Sequence, residues 1–197
     1  MCTDYRALNK STVLNRFLMP TVDEQLNNLA RVAEAHCFFS CLDLYLGFWQ
    51  VPVPPEDRDK TAFVTHDGLF RCTAMPFGLV NAPAVFQRMM TTALADCIAR
   101  GFCRVYIDDI VVYSKTLEEH VAHLEAVLSA ISTNRLVCKP SKCFFGFRQI
   151  VHLGHLAGAG DRDPSRSPPT GRFPARSFAV CLPAALPLPR STSPTSE

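Results

Sequence analysis

The chain has 197 residues, 48% of them apolar and 19% charged, which is enough for one well-filled core or two small lobes. A net charge of +2 excludes recognition of a partner by bulk charge alone. Residues 1–156 hold 15 Lys and Arg against 15 Asp and Glu, and the remainder holds 5 against 3, so any nucleic-acid contact must come from a local surface.

In chain order, "HCFFSCLDL" (36–44) is a short apolar run that reads as a buried strand. "TAFVTHDGLFRCTAM" alternates on either side of Asp67-Gly68, a dipeptide suited to a tight hairpin. Asn81 is placed to cap a helix starting near Pro83, where the missing N–H costs little. That helix would carry Phe86, Met89, Met90, Ala93, Leu94 and Cys97 on one face and end at Gly101. Residues 102–114 form two apolar runs meeting at Asp108-Asp109, a hairpin with acids at its tip. Thr116 and Glu119 fit a capping box for a second helix, whose shared face is Val121, Leu124, Leu128 and Ile131. Short strands near 135–139 and 149–153 complete an α+β pattern, an antiparallel sheet backed by two helices.

Composition breaks near residue 156. The stretch 157–197 is rich in Pro, Ser and Arg, has no steady period, and reads as disordered or loosely attached. The nine cysteines include no Cys-x-x-Cys pair, and Cys37/Cys41 and Cys138/Cys143 have the wrong spacing for a zinc knuckle. Free thiols in apolar surroundings imply a reducing, intracellular setting. No segment is long and apolar enough to span a bilayer, so no membrane partner is expected. His120 and His123 share a helical face without further ligands, and His152 and His155 would point opposite ways on one strand.

Asp43 closes the run Phe38-Phe39-Ser40-Cys41-Leu42, at the end of a strand. Asp108 and Asp109 sit at the tip of a hairpin placed to neighbour it. Burying adjacent carboxylates is costly unless a cation compensates them. Three converging acids suit Mg²⁺, which takes one or two carboxylates plus substrate phosphates, and a pair of such ions serves phosphoryl transfer. The plain alternative is a solvated Asp-Asp turn.

The segments "CTDYRALNKSTVLNRFLMP", "CFFSCLDLYLGFWQV", "KTAFVTHDGLFRCTAMPFGLVNAPAVFQRMM", "VYIDDIVVYSKTLEEHVAHLEAVL" and "CKPSKCFFGFRQIVHLGH" follow one another in order. Together, from residue 2 to about 155, they resemble the reverse transcriptase of gypsy-type LTR retrotransposons, related to retroviral polymerases. The resemblance implies a polymerase right hand, with fingers at about 1–27 and 51–80 and palm at about 28–50 and 81–156. It implies an RNA-directed DNA polymerase that adds deoxynucleotides to a primer on an RNA or DNA template. The cofactor would be two Mg²⁺ ions, with Mn²⁺ as a substitute. Asp43 and Asp108 would bridge the ions, with Asp109 a weaker or indirect ligand.

Further roles follow from the same resemblance. The amides of Leu46 and Gly47 would face the triphosphate, and Gly permits close approach. Phe48 would lie beneath the incoming sugar and exclude a ribose 2′ hydroxyl, or else be simple core. Arg6 would lie against the template strand, or else form a structural salt bridge. Lys142 falls where a lysine approaches the leaving pyrophosphate, with Lys139 as competitor. Leu153, Gly154 and His155 match the turn that steadies the primer end, though His152 stands where Phe is common. The basic fingers residues upstream of "CTDYR" and the thumb beyond His155 are expected to be missing, with a frameshift as one origin of the tail. An inactive retrotransposon fragment that at most binds nucleic acid is the alternative reading.

Overall fold

The structure, a computed structural model, describes residues 3–35 and 38–158. The expectations for Cys37 and for the stretch beyond 158 lie outside the described residues. The centre is a four-stranded sheet formed by β1 (Phe38–Asp43), β4 (Cys103–Tyr106), β5 (Asp109–Ser114) and β6 (Phe144–Phe147), in the order β4-β5-β1-β6. All its pairings are antiparallel. Two short hairpins stand apart from it, β2 (Phe63–Thr65) with β3 (Gly68–Phe70) and β7 (Gln149–His152) with β8 (His155–Gly158). The expected α+β architecture is present, and the Asp67-Gly68 hairpin forms with Gly68 at φ 136°.

Side chains alternate across a strand, so β1 and β5 each feed two cores. Leu42, Ile110 and Val112 face α3 (Ala82–Ala93), α4 (Ala95–Ala99) and α5 (Leu117–Thr133), and pack with Phe86, Met90, Leu94, Leu124 and Val127. On the other face Phe39, Val111 and Tyr113 meet Ile150 of β7 and Leu29 of α2 (Val22–Ala35). Each such aliphatic or aromatic side chain contributes about 1.5–3 kcal/mol on full burial. The middle of the sheet is thus strongly fixed, and its ends inherit that rigidity. A short helix, α1 (Arg6–Ser11), precedes these elements.

Several expectations need correction. The helix over 82–99 is broken at Leu94, whose φ of −110° and ψ of 19° start a separate turn, so Cys97 belongs to α4. Asn81 makes no side-chain cap; its amide instead ties the N-terminal segment down, accepting from the Asn15 N–H and donating to the Val13 carbonyl. In α5 the capping box forms between Thr116 and Glu119, but the buried face is His120, Leu124, Val127 and Ile131, and Val121 is exposed. Residues 135–139 make only an isolated bridge, Leu44 with Cys138, and the edge strand is β6 instead. His152 and His155 are direct partners across a hairpin, so they share one face rather than opposing each other.

His120 shares its helical face with His123 without further ligands, and its burial has another basis. Its Nε2 lies 2.6 Å from Ser40 Oγ and its Nδ1 2.9 Å from Ser114 Oγ, which also lies 2.7 Å from His123 Nδ1. Ser40 Oγ accepts the Gly146 N–H at 3.0 Å, at the register shift where β6 meets β1. This chain of hydrogen bonds ties β1, β5, β6 and α5 together beneath the sheet.

Candidate active site

The acids meet as the hairpin register dictates. Asp43 and Asp109 are directly opposed on β1 and β5, the last pair of that ladder, and directly opposed residues share a face. Tyr106 pairs with Asp109, which leaves Ile107 and Asp108 as the turn between β4 and β5. Ile107 adopts φ 52°, a conformation that a β-branched residue enters only under constraint. The constraint is Gln87 of α3. This side chain is 2% exposed, accepts the Ile107 N–H at 2.6 Å and donates to the Val105 carbonyl at 3.1 Å.

Electrostatics at the turn are unfavourable as they stand. Burial pushes the Asp108 carboxyl above its ordinary range, the charges of Asp43 and Asp109 add to this, and Lys142 opposes them. Burial likewise raises Asp109, against the pull of nearby His152, with Asp43 raising it further. Asp108 Oδ1 is buried and has no hydrogen-bond partner. An orphaned, negatively charged oxygen among like charges is a standing demand for a cation.

One cation is already close. Lys142 Nζ lies 2.8 Å from Asp43 Oδ2, and the carboxylate raises the ammonium's pKa. Lys139 approaches through its backbone, donating its N–H to the Asp43 carbonyl at 2.8 Å. Behind them Cys143 Sγ lies 3.3 Å from the Lys139 carbonyl oxygen and 3.9 Å from that of Asp43, and the neighbouring Cys138 thiol lowers its pKa to about 7.

The segment after β1 folds under Asp108. Leu46 takes φ 51° and leads into a single 3-10 turn, Gly47–Gln50. Gly47 is buried, and a Cβ on it would collide with Asp108 Oδ1 and come within 2.9 Å of Phe86 Cζ. Phe48 is half-buried and braced by two rings, with centroids 5.4 Å away at Phe77 and 5.2 Å at Phe86. Gln50 locks the segment from outside, donating to the Tyr45 and Val137 carbonyls at 2.6 and 3.0 Å and accepting the Val137 N–H at 2.8 Å.

Leu153 and Gly154, at φ 50° and 80°, form the two-residue turn between β7 and β8, which positive φ at both positions permits. His152 is buried beside Asp109, and burial lowers its pKa against the pull of that acid. His155 is exposed. Arg6 is 87% exposed and pairs with Asp4 at 2.6 Å, the structural salt bridge weighed in the sequence.

The profile described as Reverse transcriptase (RNA-dependent DNA polymerase) matches residues 1–157. The chain belongs to the reverse transcriptase family. Among curated relatives, it is 37% identical over 153 residues to the Pol polyprotein from transposon 297 of Drosophila melanogaster, covering 78% of this chain and 14% of that protein. The RNA-directed DNA polymerase homolog of Oenothera berteroana is 43% identical over 130 residues, covering 64% of this chain and 88% of the homolog. Among solved structures, a foamy viral protease-reverse transcriptase in complex with double-stranded DNA superposes with a TM-score of 0.71 at 27% identity, over 79% of this chain and 26% of that one. The gypsy-type resemblance therefore holds, since the gypsy Pol polyprotein itself is 32% identical over 166 residues, 84% of this chain and 15% of that protein. This reverse transcriptase chain spans only a small part of those polyproteins.

Two positioning residues of the reverse transcriptase domain escaped the sequence reading. Gln87 carried a faint signal, a polar residue inside the apolar stripe of Phe86 and Met90. Gln50 carried none, because two of its three hydrogen bonds reach Val137, 87 residues away.

Proposed function

We propose that this chain is the catalytic core of an RNA-directed DNA polymerase, extending a primer on an RNA or DNA template with deoxynucleotides. The observation that carries the reading is the orphaned Asp108 oxygen beside the opposed pair Asp43 and Asp109. Related foamy viral structures, described as complexes with an RNA/DNA hybrid and with double-stranded DNA, support the choice of partners. Fingers at about 1–27 and 51–80 and palm at about 28–50 and 81–156 are the division that goes with it.

The donor set fits divalent magnesium, with manganese as substitute. Among the described residues no three His, Cys, Asp or Glu side chains form a ready metal cage. An ion that keeps waters and takes phosphate oxygens needs no such cage. When bound, two such ions would neutralise the carboxylates and polarise the primer hydroxyl and the triphosphate. Asp43 and Asp108 would hold them, and Asp109 would orient them and add charge. Gly47 leaves room for Asp108 and, with Leu46, offers backbone amides to the triphosphate. Phe48, held by Phe77 and Phe86, presents a fixed apolar surface that gives a ribose 2′ hydroxyl no partner. Lys142 leaves Asp43 for the pyrophosphate and can donate a proton there. The Leu153-Gly154-His155 turn supports the primer end, and Arg6 exchanges Asp4 for a template phosphate.

Primer extension on an RNA template tests the reading, with Asp108→Asn as control. Magnesium-dependent incorporation that disappears in the variant is the expected result. Equal incorporation by both proteins rejects the site. Tight primer–template binding with no extension under any metal points to the inactive-fragment alternative.

A further inference from the structure

The turn that follows Asp43 adopts a conformation that its own residues do not favour. Leu46 lies in the left-handed region at φ 51° and ψ 49°, where a side chain crowds the following carbonyl, so the surroundings must hold it there. On the inner side Phe77 and Phe86 brace the Phe48 ring. On the outer side Gln50 closes the turn. Both of its amide hydrogens are engaged, on the Tyr45 carbonyl at 2.6 Å and the Val137 carbonyl at 3.0 Å, and its amide oxygen accepts the Val137 N–H at 2.8 Å. Residues 137–139 run antiparallel to 43–45. The Lys139 N–H donates to the Asp43 carbonyl at 2.8 Å, Cys138 bridges Leu44, and the Tyr45 N–H donates to the Val137 carbonyl at 2.9 Å. The Gln50 carboxamide adds a further rung to this ladder, offering a donor and an acceptor as a peptide group does. It joins the start of the turn to its end and fixes both to the neighbouring segment.

We propose that Gln50 is a positioning residue for sugar selection: by clasping Tyr45 and Val137 it holds residues 46–48 in their left-handed turn and so fixes the Phe48 ring against the 2′ position of the incoming nucleotide. The inference rests on the polymerase reading, in which Phe48 lies beneath the sugar, and adds the group that sets where that ring stands. Gln50 acts through the backbone. When the clasp is lost, Leu46 relaxes to negative φ. The bonds of the 3-10 turn, Trp49 N–H to Leu46 carbonyl at 2.8 Å and Val51 N–H to Phe48 carbonyl at 3.1 Å, carry the change to Phe48. The ring then leaves its braces, and space opens for a ribose hydroxyl. Gln50→Met keeps the side-chain length and removes all three hydrogen bonds. Gln50→Glu keeps the acceptor for Val137 but turns a carboxylate oxygen toward two carbonyl oxygens, so repulsion replaces two bonds.

Two measurements on the whole chain test this. Trp49, the single tryptophan, sits in the same turn, 45% exposed and edge-on to Phe77, so its fluorescence reports the turn directly. Acrylamide quenching of Trp49 without nucleotide is expected to rise ~2-fold in Gln50→Met and Gln50→Glu. Unchanged quenching overturns the proposal. The second measurement is single-nucleotide primer extension opposite template G, with dCTP and CTP in turn. The preference for dCTP, as a ratio of kcat/KM values, is expected to fall ~10-fold in Gln50→Met, mainly through KM. The ratio is taken within one preparation, so a partly folded variant lowers both rates equally and leaves it unmoved. Phe48→Ala also loses the preference, and adding Gln50→Met to it causes no further loss, because both changes act through one ring. A dCTP preference that persists in Gln50→Met, or losses that add in the double variant, overturns the proposal. No incorporation by the wild type rejects the polymerase reading and the sugar role with it, while the quenching result still decides whether Gln50 holds the turn.

Discussion

β1 and β5 carry two polar clusters, one on each face of the sheet, built to opposite rules. On the helix side, both ring nitrogens of His120 and the hydroxyls of Ser40 and Ser114 are paired, and Ser40 also takes the Gly146 N–H. On the other face, at the end of the same ladder, Asp43 opposes Asp109 and the neighbouring Asp108 keeps an oxygen with no partner. A fully satisfied buried network rigidifies a fold and needs nothing more, while a partly satisfied one costs free energy until something binds. Polar burial alone therefore does not mark a site. The His120 cluster is the more deeply buried of the two, and it is structural.

The comparison breaks most visibly by substitution at the acids. Asp108→Asn is expected to lower primer extension by ~10³-fold or more, the scale on which loss of a charge-stabilising group acts. The same change relieves like-charge repulsion, so the metal-free variant is expected to melt slightly higher than the wild type. Magnesium then raises the melting temperature of the wild type and leaves the variant unmoved. A variant that is both inactive and destabilised would place Asp108 among structural residues instead. His120→Ala has the opposite profile. It takes one partner each from Ser40 and Ser114 and opens a cavity, and the expected loss is about 3 kcal/mol of stability, with metal binding intact below the transition. Calorimetry with and without magnesium checks both arms.

Gln87 joins the two classes, because a satisfied side chain positions an unsatisfied one. Gln87→Ala frees the Ile107 N–H and lets the strained turn relax. Extension is expected to fall ~10-fold, with a stability loss of about 1–2 kcal/mol. Gln87→Glu keeps the acceptor for Ile107 but loses the donor to Val105, so it restores part of the rate while remaining less stable. A purely structural Gln87 would give rate and stability changes in strict proportion.

Local chemistry made much of this legible in the chain. The capping box at Thr116 and Glu119, the Asp67-Gly68 hairpin and the apolar runs around Asp43 and Asp108-Asp109 are short-range patterns, and each formed. What stayed hidden depends on distant partners. Asn81 has cap chemistry, yet Val13 and Asn15 claim its amide. "RLVCK" has strand composition, but it runs past the end of β1, bridging Leu44 through Cys138 and reaching Asp43 through the Lys139 N–H, while Phe144–Phe147 takes the edge despite Gly146. His152 and His155 were misfaced because a two-residue turn between them reverses the chain. Among the acids, sequence supplied the identities and the structure supplied what makes them a site, the direct opposition of Asp43 and Asp109 and the missing partner of Asp108.

The smallest effect separates the clusters by pH. Burial, helped by the charge of His123, depresses His120 from 6.5 to about 4, while Ser40, Ser114 and His123 face its ring. The unfolded chain takes up this proton as pH falls below about 6.5, and the folded state refuses it until about 4. The stability held by neutral His120 is therefore complete above that window and drains as pH falls through it. Between about pH 8 and about pH 6 the loss is about 1 kcal/mol. Asp108 and Asp109 run the other way. Their folded pKa values are raised, so the folded state binds these protons more readily than the unfolded chain, and acidification relieves the repulsion. The wild-type profile sums the two slopes. Asp108→Asn removes part of the compensating slope and should steepen the acid loss, whereas His120→Asn should flatten it near neutrality. Denaturant unfolding across this range reads both shifts, and a loss that persists unchanged in His120→Asn would remove His120 as its source.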